Sequence, residues 1–149
     1  MRTIKKVKFS GGKVQVDFID DGDGATNELT MKSDNLPSPD LVGAMNELGA
    51  HACALCEMPE SYADNCKVEG LSLSYTDDIM GAVITVQKPI ETSDSPFTFN
   101  TPHMPAEPYG GSLDYSKCLP DDAVEAIEKV ISEALEYIKG KRAQLALGL

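Results

Sequence analysis

The stretch IKKVKFSGGKVQVDFI, residues 4–19, predicts the first two strands of a β-meander. Val14, Val16 and Phe18 alternate with polar residues, which is the pattern of a strand with one buried and one wet face. Gly11-Gly12 has the composition of a two-residue hairpin turn. The hairpin therefore predicts a sheet whose apolar face is covered and whose opposite face carries lysines.

Further strands are predicted outward from this hairpin, over residues 27–33, 67–75, 79–90 and 95–100. Two segments have helical periodicity instead, residues 38–59 and 119–141, and each begins with a Pro-Asp pair, which suits the first turn of a helix.

The resulting order, β-β-β-α-β-β-(β)-α, predicts an α+β fold in one domain, residues 1–149. We expect an antiparallel sheet of five to six strands with two amphipathic helices packed on it. The order β-β-β-α-β-β is also that of an OB barrel, so an OB-like barrel with a C-terminal helix is the alternative.

The formal net charge of −11 disfavours indiscriminate binding to nucleic acid or anionic membranes, although a local basic groove remains compatible with it. Four lysines near the N-terminus, at positions 5, 6, 8 and 13, are the candidates for such a groove, and protection of an edge strand is their other interpretation. The sequence contains no apolar run of bilayer length, and the N-terminus lacks the apolar segment of a signal peptide. We therefore expect a cytosolic protein without a membrane partner.

Three cysteines are the candidates for a metal site: Cys53, Cys56 and Cys66. Zinc requires four ligands, and C-x-x-C is a common half of such a site. A second close-set pair is missing, so the sequence favours buried, reduced thiols, and we predict no metal or cofactor.

Residues 95–111 form a proline-rich loop around His103. Such a loop loses little entropy on ordering and can hold a ligand, and cations near the end of the last helix suit a phosphate group. The predicted ligand-binding residues are Asn100, Thr101, His103, Tyr109, Lys139, Lys141 and Arg142. A rigid connector is the other interpretation of this loop, and an enzyme centred on His103 is a further alternative.

Three stretches together resemble a family of small bacteriophage and prophage proteins: CEMPESYAD, GAVITVQKPIETSDSPFTFNTPHMPAEPYGG and EYIKGKRAQ. The resemblance implies an accessory protein that acts in the cytosol of a bacterial host. It implies no activity and no catalytic residues.

The favoured function is a non-enzymatic binding protein for a nucleotide or another phosphate-bearing ligand, with counteraction of host defence as its setting. Self-association is also expected, and the apolar tail at residues 142–149 is one surface for it. The alternatives are an inhibitor that binds a host protein through an acidic surface, and an OB-like protein that binds single-stranded DNA.

Overall fold

Seven strands form one antiparallel sheet in the computed structural model, which describes residues 1–22 and 24–142. The strands are β1 (Arg2–Ser10), β2 (Lys13–Gly22), β3 (Ala25–Ser33), β4 (Lys67–Thr76), β5 (Ile79–Lys88), β6 (Phe97–Asn100) and β7 (Met104–Pro105). Their order is β3-β2-β1-β4-β5-β6, and β7 also pairs with β5. The β1 strand, which carries several lysines, is therefore a central strand.

The β1–β2 hairpin has the predicted turn and one irregularity that alternation alone does not reveal. Gly11 and Gly12 have φ values of 59° and 76°, a left-handed conformation that glycine adopts without strain. In β1 the register shifts between Ile4 and Lys6, so Lys5 is an extra residue that forms a bulge. The bulge allows Ile4 and Val7, three positions apart, to point into the same core.

Helix α1 (Pro39–Leu55) begins as its sequence predicts. The Ser38 hydroxyl accepts a hydrogen bond from the Leu41 amide at 3.3 Å, and Pro39 occupies the first turn, where its missing amide hydrogen costs nothing. A short 3-10 helix, Glu60–Asn65, then connects α1 to β4.

Helix α2 (Asp121–Lys139) begins after Pro120 and ends at Gly140. Tyr137 in its last turn is only 1% exposed, and its hydroxyl donates a hydrogen bond to the Asn35 carbonyl oxygen at 3.0 Å. This contact fixes the end of α2 against the segment that joins β3 to α1. None of the helices in the described ranges is long and apolar enough to cross a membrane.

The two helices cover one face of the sheet, and the buried apolar side chains of strands and helices form a single cluster between them. We call the other side of the sheet the open face. The register places Lys6, Lys8, Gln15 and Lys32 on it, because these residues pair with one another or with polar residues across neighbouring strands.

The predicted α+β class is confirmed, with seven strands where five to six were expected. The OB-like alternative is wrong, because the sheet is open: β3 and β6 form its two edges and do not pair in the described part of the chain. The β7 strand was not predicted, because it has only two residues and one of them is a proline. The apolar tail was predicted over residues 142–149, and all of it after Arg142 lies outside the described residues.

Because of the bulge at Lys5, we predict that a substitution at Ile4 lowers the free energy of unfolding more than a substitution at Thr3. Replacing Ile4 with alanine should lower the free energy of unfolding by about 2–5 kcal/mol, because a fully buried side chain leaves a cavity. Thr3→Ala should cost less than about 0.5 kcal/mol. Denaturant unfolding measures both. Strict alternation backward from Val7 would expose Ile4, so a negligible cost for Ile4→Ala would contradict the bulge.

Candidate functional site

The predicted loop is fastened to the sheet by Thr101. This residue is 4% exposed, its hydroxyl accepts a hydrogen bond from the Ile84 amide at 2.9 Å, and its own amide donates to the Ile84 carbonyl oxygen at 2.9 Å. Thr101 is therefore occupied in extending the sheet edge and is not available to a surface ligand. Asn100 lies beside it on β6, exposed, with its amide oxygen accepting from the Thr85 hydroxyl at 2.6 Å.

His103 lies exposed on the open face, above Gly81 of β5. Its Nε2 atom shares a hydrogen bond with the Ser74 hydroxyl at 2.8 Å. No carboxylate is hydrogen-bonded to the imidazole in the described part of the chain, so the orienting third member of a nucleophilic triad is not assembled. Ser74 is 29 positions away, which is why sequence spacing did not point to it.

The cations at the end of α2 are engaged with groups of the protein itself. Lys141 contacts Asp40 at 2.7 Å and Glu133 at 3.1 Å, and its hydrogen bond lowers the pKa of the Asp40 carboxyl below its usual value. Lys139 pairs with Glu136 at 3.5 Å. These pairs are exposed and add little stability, but they already neutralise the charges that the sequence assigned to a ligand.

Arg142 is also engaged with α2. Its guanidinium carbon lies 3.6 Å from the centroid of the Tyr137 ring, and Nη1 donates to the carbonyl oxygens of Tyr137 and Lys141. The side chain therefore covers the end of the helix.

The structure does not bring the predicted loop residues and these cations together. Asn100 lies on β6 at one edge of the sheet, whereas the end of α2 contacts Asn35, which follows β3 at the other edge. Five strand spacings separate the two edges, about 24 Å. Tyr109 belongs to a short 3-10 helix, Tyr109–Gly111, on the segment that leads to the start of α2, so it too is remote from the cations.

Among the cysteines, Cys53 and Cys66 approach each other, with their sulfur atoms 3.8 Å apart. The sequence had instead suggested a C-x-x-C pair of Cys53 and Cys56. Burial raises the pKa of the Cys53 thiol to about 11, and the adjacent Cys66 thiol adds to the shift. No group of three or more metal-ligating side chains is gathered within the described ranges.

A cleft with a volume of about 420 Å³ lies at the Gly11-Gly12 end of the sheet. We call it the hairpin cleft. The β1–β2 hairpin, the 34–38 linker, α1 and the ends of β4 and β5 enclose it. Its apolar wall comprises Phe9, Val14, Leu36, Val42 and Val68, and its polar rim comprises Lys13, Asn46, Lys67, Glu69 and Gln87.

The lysines around this cleft have no acidic partner. Lys13 and Lys67 on its rim, and Lys6, Lys8 and Lys32 on the adjoining open face, form no ion pair within 4 Å in the described part of the chain. Carboxylates are in excess in this chain, with 24 acidic and 13 basic residues, and Lys5, Lys88 and Lys117 likewise form no ion pair in the described ranges. The positive charge at this end of the sheet is therefore available to an external anion.

The hairpin lysines could be identified from the sequence, but the cleft could not. Its other members come from four separated segments, and only the fold places Leu36, Asn46 and Lys67 beside Lys13. The proposed edge protection is also wrong for Lys6 and Lys8, because β1 is central. One local signal could have added Lys32 to the predicted group of lysines. The alternation of apolar and polar residues in β3 assigns Lys32 to the open face.

Comparisons with protein-family models, curated proteins and solved structures gave no significant match. The resemblance to phage proteins and the cytosolic location therefore stay predictions.

The contact between Gly81 and His103 yields a test of the site geometry. A side chain at position 81 would overlap the imidazole, so Gly81→Ala should displace His103 and break its hydrogen bond to Ser74, at a cost of about 1 kcal/mol. In a His103→Ala background the same substitution should cost much less, because the overlapping group is gone. Denaturant unfolding of the four proteins measures this coupling, and strictly additive costs would contradict the described contact.

Proposed function

We propose that this protein is a non-enzymatic binding protein for a small phosphate-bearing organic ligand of nucleotide size, held in the hairpin cleft. The single observation that carries the proposal is the combination of an apolar cleft with unpaired lysines on its rim. The phosphate preference is that expected from sequence, but the place differs, because the cations at the end of α2 are already paired.

The size and walls of the cleft suit a planar ring. Small-molecule sites span about 300–1,000 Å³ and combine apolar walls with a few polar groups. Phe9 and Val42 face the cleft from opposite elements, β1 and α1, and Leu36 is 61% exposed at its margin. Covering such a side chain with a ring removes apolar surface from water and favours binding.

The rim supplies both charge and hydrogen bonds. Lys13 and Lys67 can donate to phosphate oxygens, and hydrogen bonds of this charge-assisted kind are stronger than neutral ones. Gln87 donates to one carboxylate oxygen of Glu69 at 2.9 Å, so the other oxygen can accept from a ring amino group. A carboxylate at this position disfavours inorganic phosphate alone and favours a ligand with a donor edge.

Sequestration suits this chemistry better than catalysis. The Ser74–His103 pair lies on another part of the sheet and has no carboxylate partner among the residues described. Together with the resemblance to phage proteins, this favours an accessory protein that captures a nucleotide in the host cytosol, for which counteraction of host defence is the expected setting.

Binding of single-stranded nucleic acid is the second candidate, and the unpaired lysines of the open face favour it. Phosphate contacts alone can support such binding with steep salt dependence. Among the residues that the structure describes, no aromatic side chain of the open face is in register with these lysines, and base stacking is a main source of affinity for single strands. Binding of a small ligand in the hairpin cleft therefore explains both the apolar wall and the lysines, whereas binding of a single strand explains only the lysines.

The test is a thermal-shift screen with mononucleotides, cyclic and dinucleotide signals, inorganic phosphate and short single-stranded DNA at two salt concentrations. A ligand at 100 times its Kd adds about 2.7 kcal/mol, which corresponds to a rise in Tm of about 5–10 °C for a chain of this size. Lys13→Glu with Lys67→Glu should weaken binding at least about 100-fold, because two charge-assisted contacts are lost.

A matched control is Lys117→Glu with Lys139→Glu, which changes the net charge equally at positions that do not line the cleft and should leave binding intact. Loss of binding in this control but not in the cleft variant would contradict the proposed site. A salt-sensitive shift with DNA alone, abolished by Lys6→Glu with Lys8→Glu, would establish the second candidate. No shift with any ligand would overturn both and favour the acidic surface and a protein partner.

A further inference from the structure

The two edges of the sheet differ in how they are protected from pairing. On one side β6 and β7 are short, four and two residues, and Pro102 and Pro105 interrupt the chain between and within them. On the other side β3 is nine residues long, contains no proline and pairs with β2 without any register shift. Such a long, regular edge has unpaired backbone groups along its length and is a template for another strand.

The β3 strand carries two apolar side chains, which are unusual on an edge strand that faces only water. Leu29 and Met31 lie opposite Phe18 and Val16, on the helix-covered side of the sheet, and Leu29 is 43% exposed. Another strand beside β3 would cover this apolar surface and continue the core of the protein.

The charges of β3 favour one register of self-pairing. In an antiparallel pair related by a two-fold axis through Thr30, Glu28 of each copy lies opposite Lys32 of the other, and Leu29 lies opposite Met31. Axes through Glu28 or Lys32 would place like charges opposite each other. Axes through Leu29 or Met31 would leave both charges without opposite-sign partners. The charges thus select a register rather than forbid pairing.

We propose that β3 is the interface of a homodimer in which a second copy of this chain pairs antiparallel with it about Thr30. The arrangement is isologous and closed, because the described part of each copy has only one such edge, and it continues the sheet across the two-fold axis. Lys13 and Lys67 are not used in it, so it stands independently of the function proposed for the hairpin cleft.

The test is a charge exchange followed by analytical ultracentrifugation. Glu28→Lys and Lys32→Glu each create two like-charge pairs across the axis, so each should weaken dimerisation by about tenfold or more. The double variant Glu28→Lys with Lys32→Glu restores opposite charges and should dimerise within about threefold of the unchanged protein. Mixing the two single variants should yield a heterodimer, because each lysine then faces a glutamate.

Circular dichroism of each variant checks that it is folded, and formation of the heterodimer from two impaired variants verifies that both remain competent. Lys117→Glu is the matched charge control and should dimerise like the unchanged protein. A protein that stays monomeric up to about 1 mM would overturn the proposal, since that corresponds to less than about 4 kcal/mol of association free energy. A dimer that is indifferent to the charges of β3 would overturn it equally.

Discussion

Packing of both helices on a single face of the sheet is the constraint on which the rest of the structure depends. The apolar residues of β1, β2, β4 and β5 project to that face, and the bulge at Lys5 brings Ile4 into line with Val7. Burial of this set is the main source of stability available to a chain without disulfide bonds in its described structure. Because most apolar strand positions are directed to one side, most of the alternating polar positions are left together on the other.

The hairpin cleft and the lysines follow from this arrangement. At the Gly11-Gly12 turn the sheet ends before α1 begins to cover it, and the 34–38 linker closes the gap only in part. Lys13 extends from the same turn, so the apolar wall of the cleft and the positive charge of the open face meet at one place. Elsewhere, acidic residues pair with some of the other cations, as Asp40 and Glu133 do with Lys141. The lysines left unpaired around the hairpin cleft are the basis of the anion site proposed for a protein whose net charge is −11.

Local features of the fold could be predicted from the sequence because short-range physics determines them. The Ser38 cap of α1, the Gly11-Gly12 turn and the helical spacing of apolar residues in α2 each depend on residues that are close in sequence. The candidate site could not be predicted in this way. Lys13, Asn46 and Lys67 are distant in sequence and meet only in the folded chain. Likewise, only the strand order places Asn100 and Lys141 near opposite edges of the sheet. The partner of His103 was missed for the same reason, since a cross-sheet contact has no spacing rule.

The measurement that tests the central claim most directly is the two-dimensional amide NMR spectrum of the isotopically labelled protein, recorded as a mononucleotide is added. If the hairpin cleft binds the ligand, the shifts will concentrate at residues 10–14, with further changes at Asn46 and Lys67. Changes concentrated instead at residues 97–111 and at Lys139 and Lys141 would contradict the account, and would place the ligand where the sequence alone had pointed.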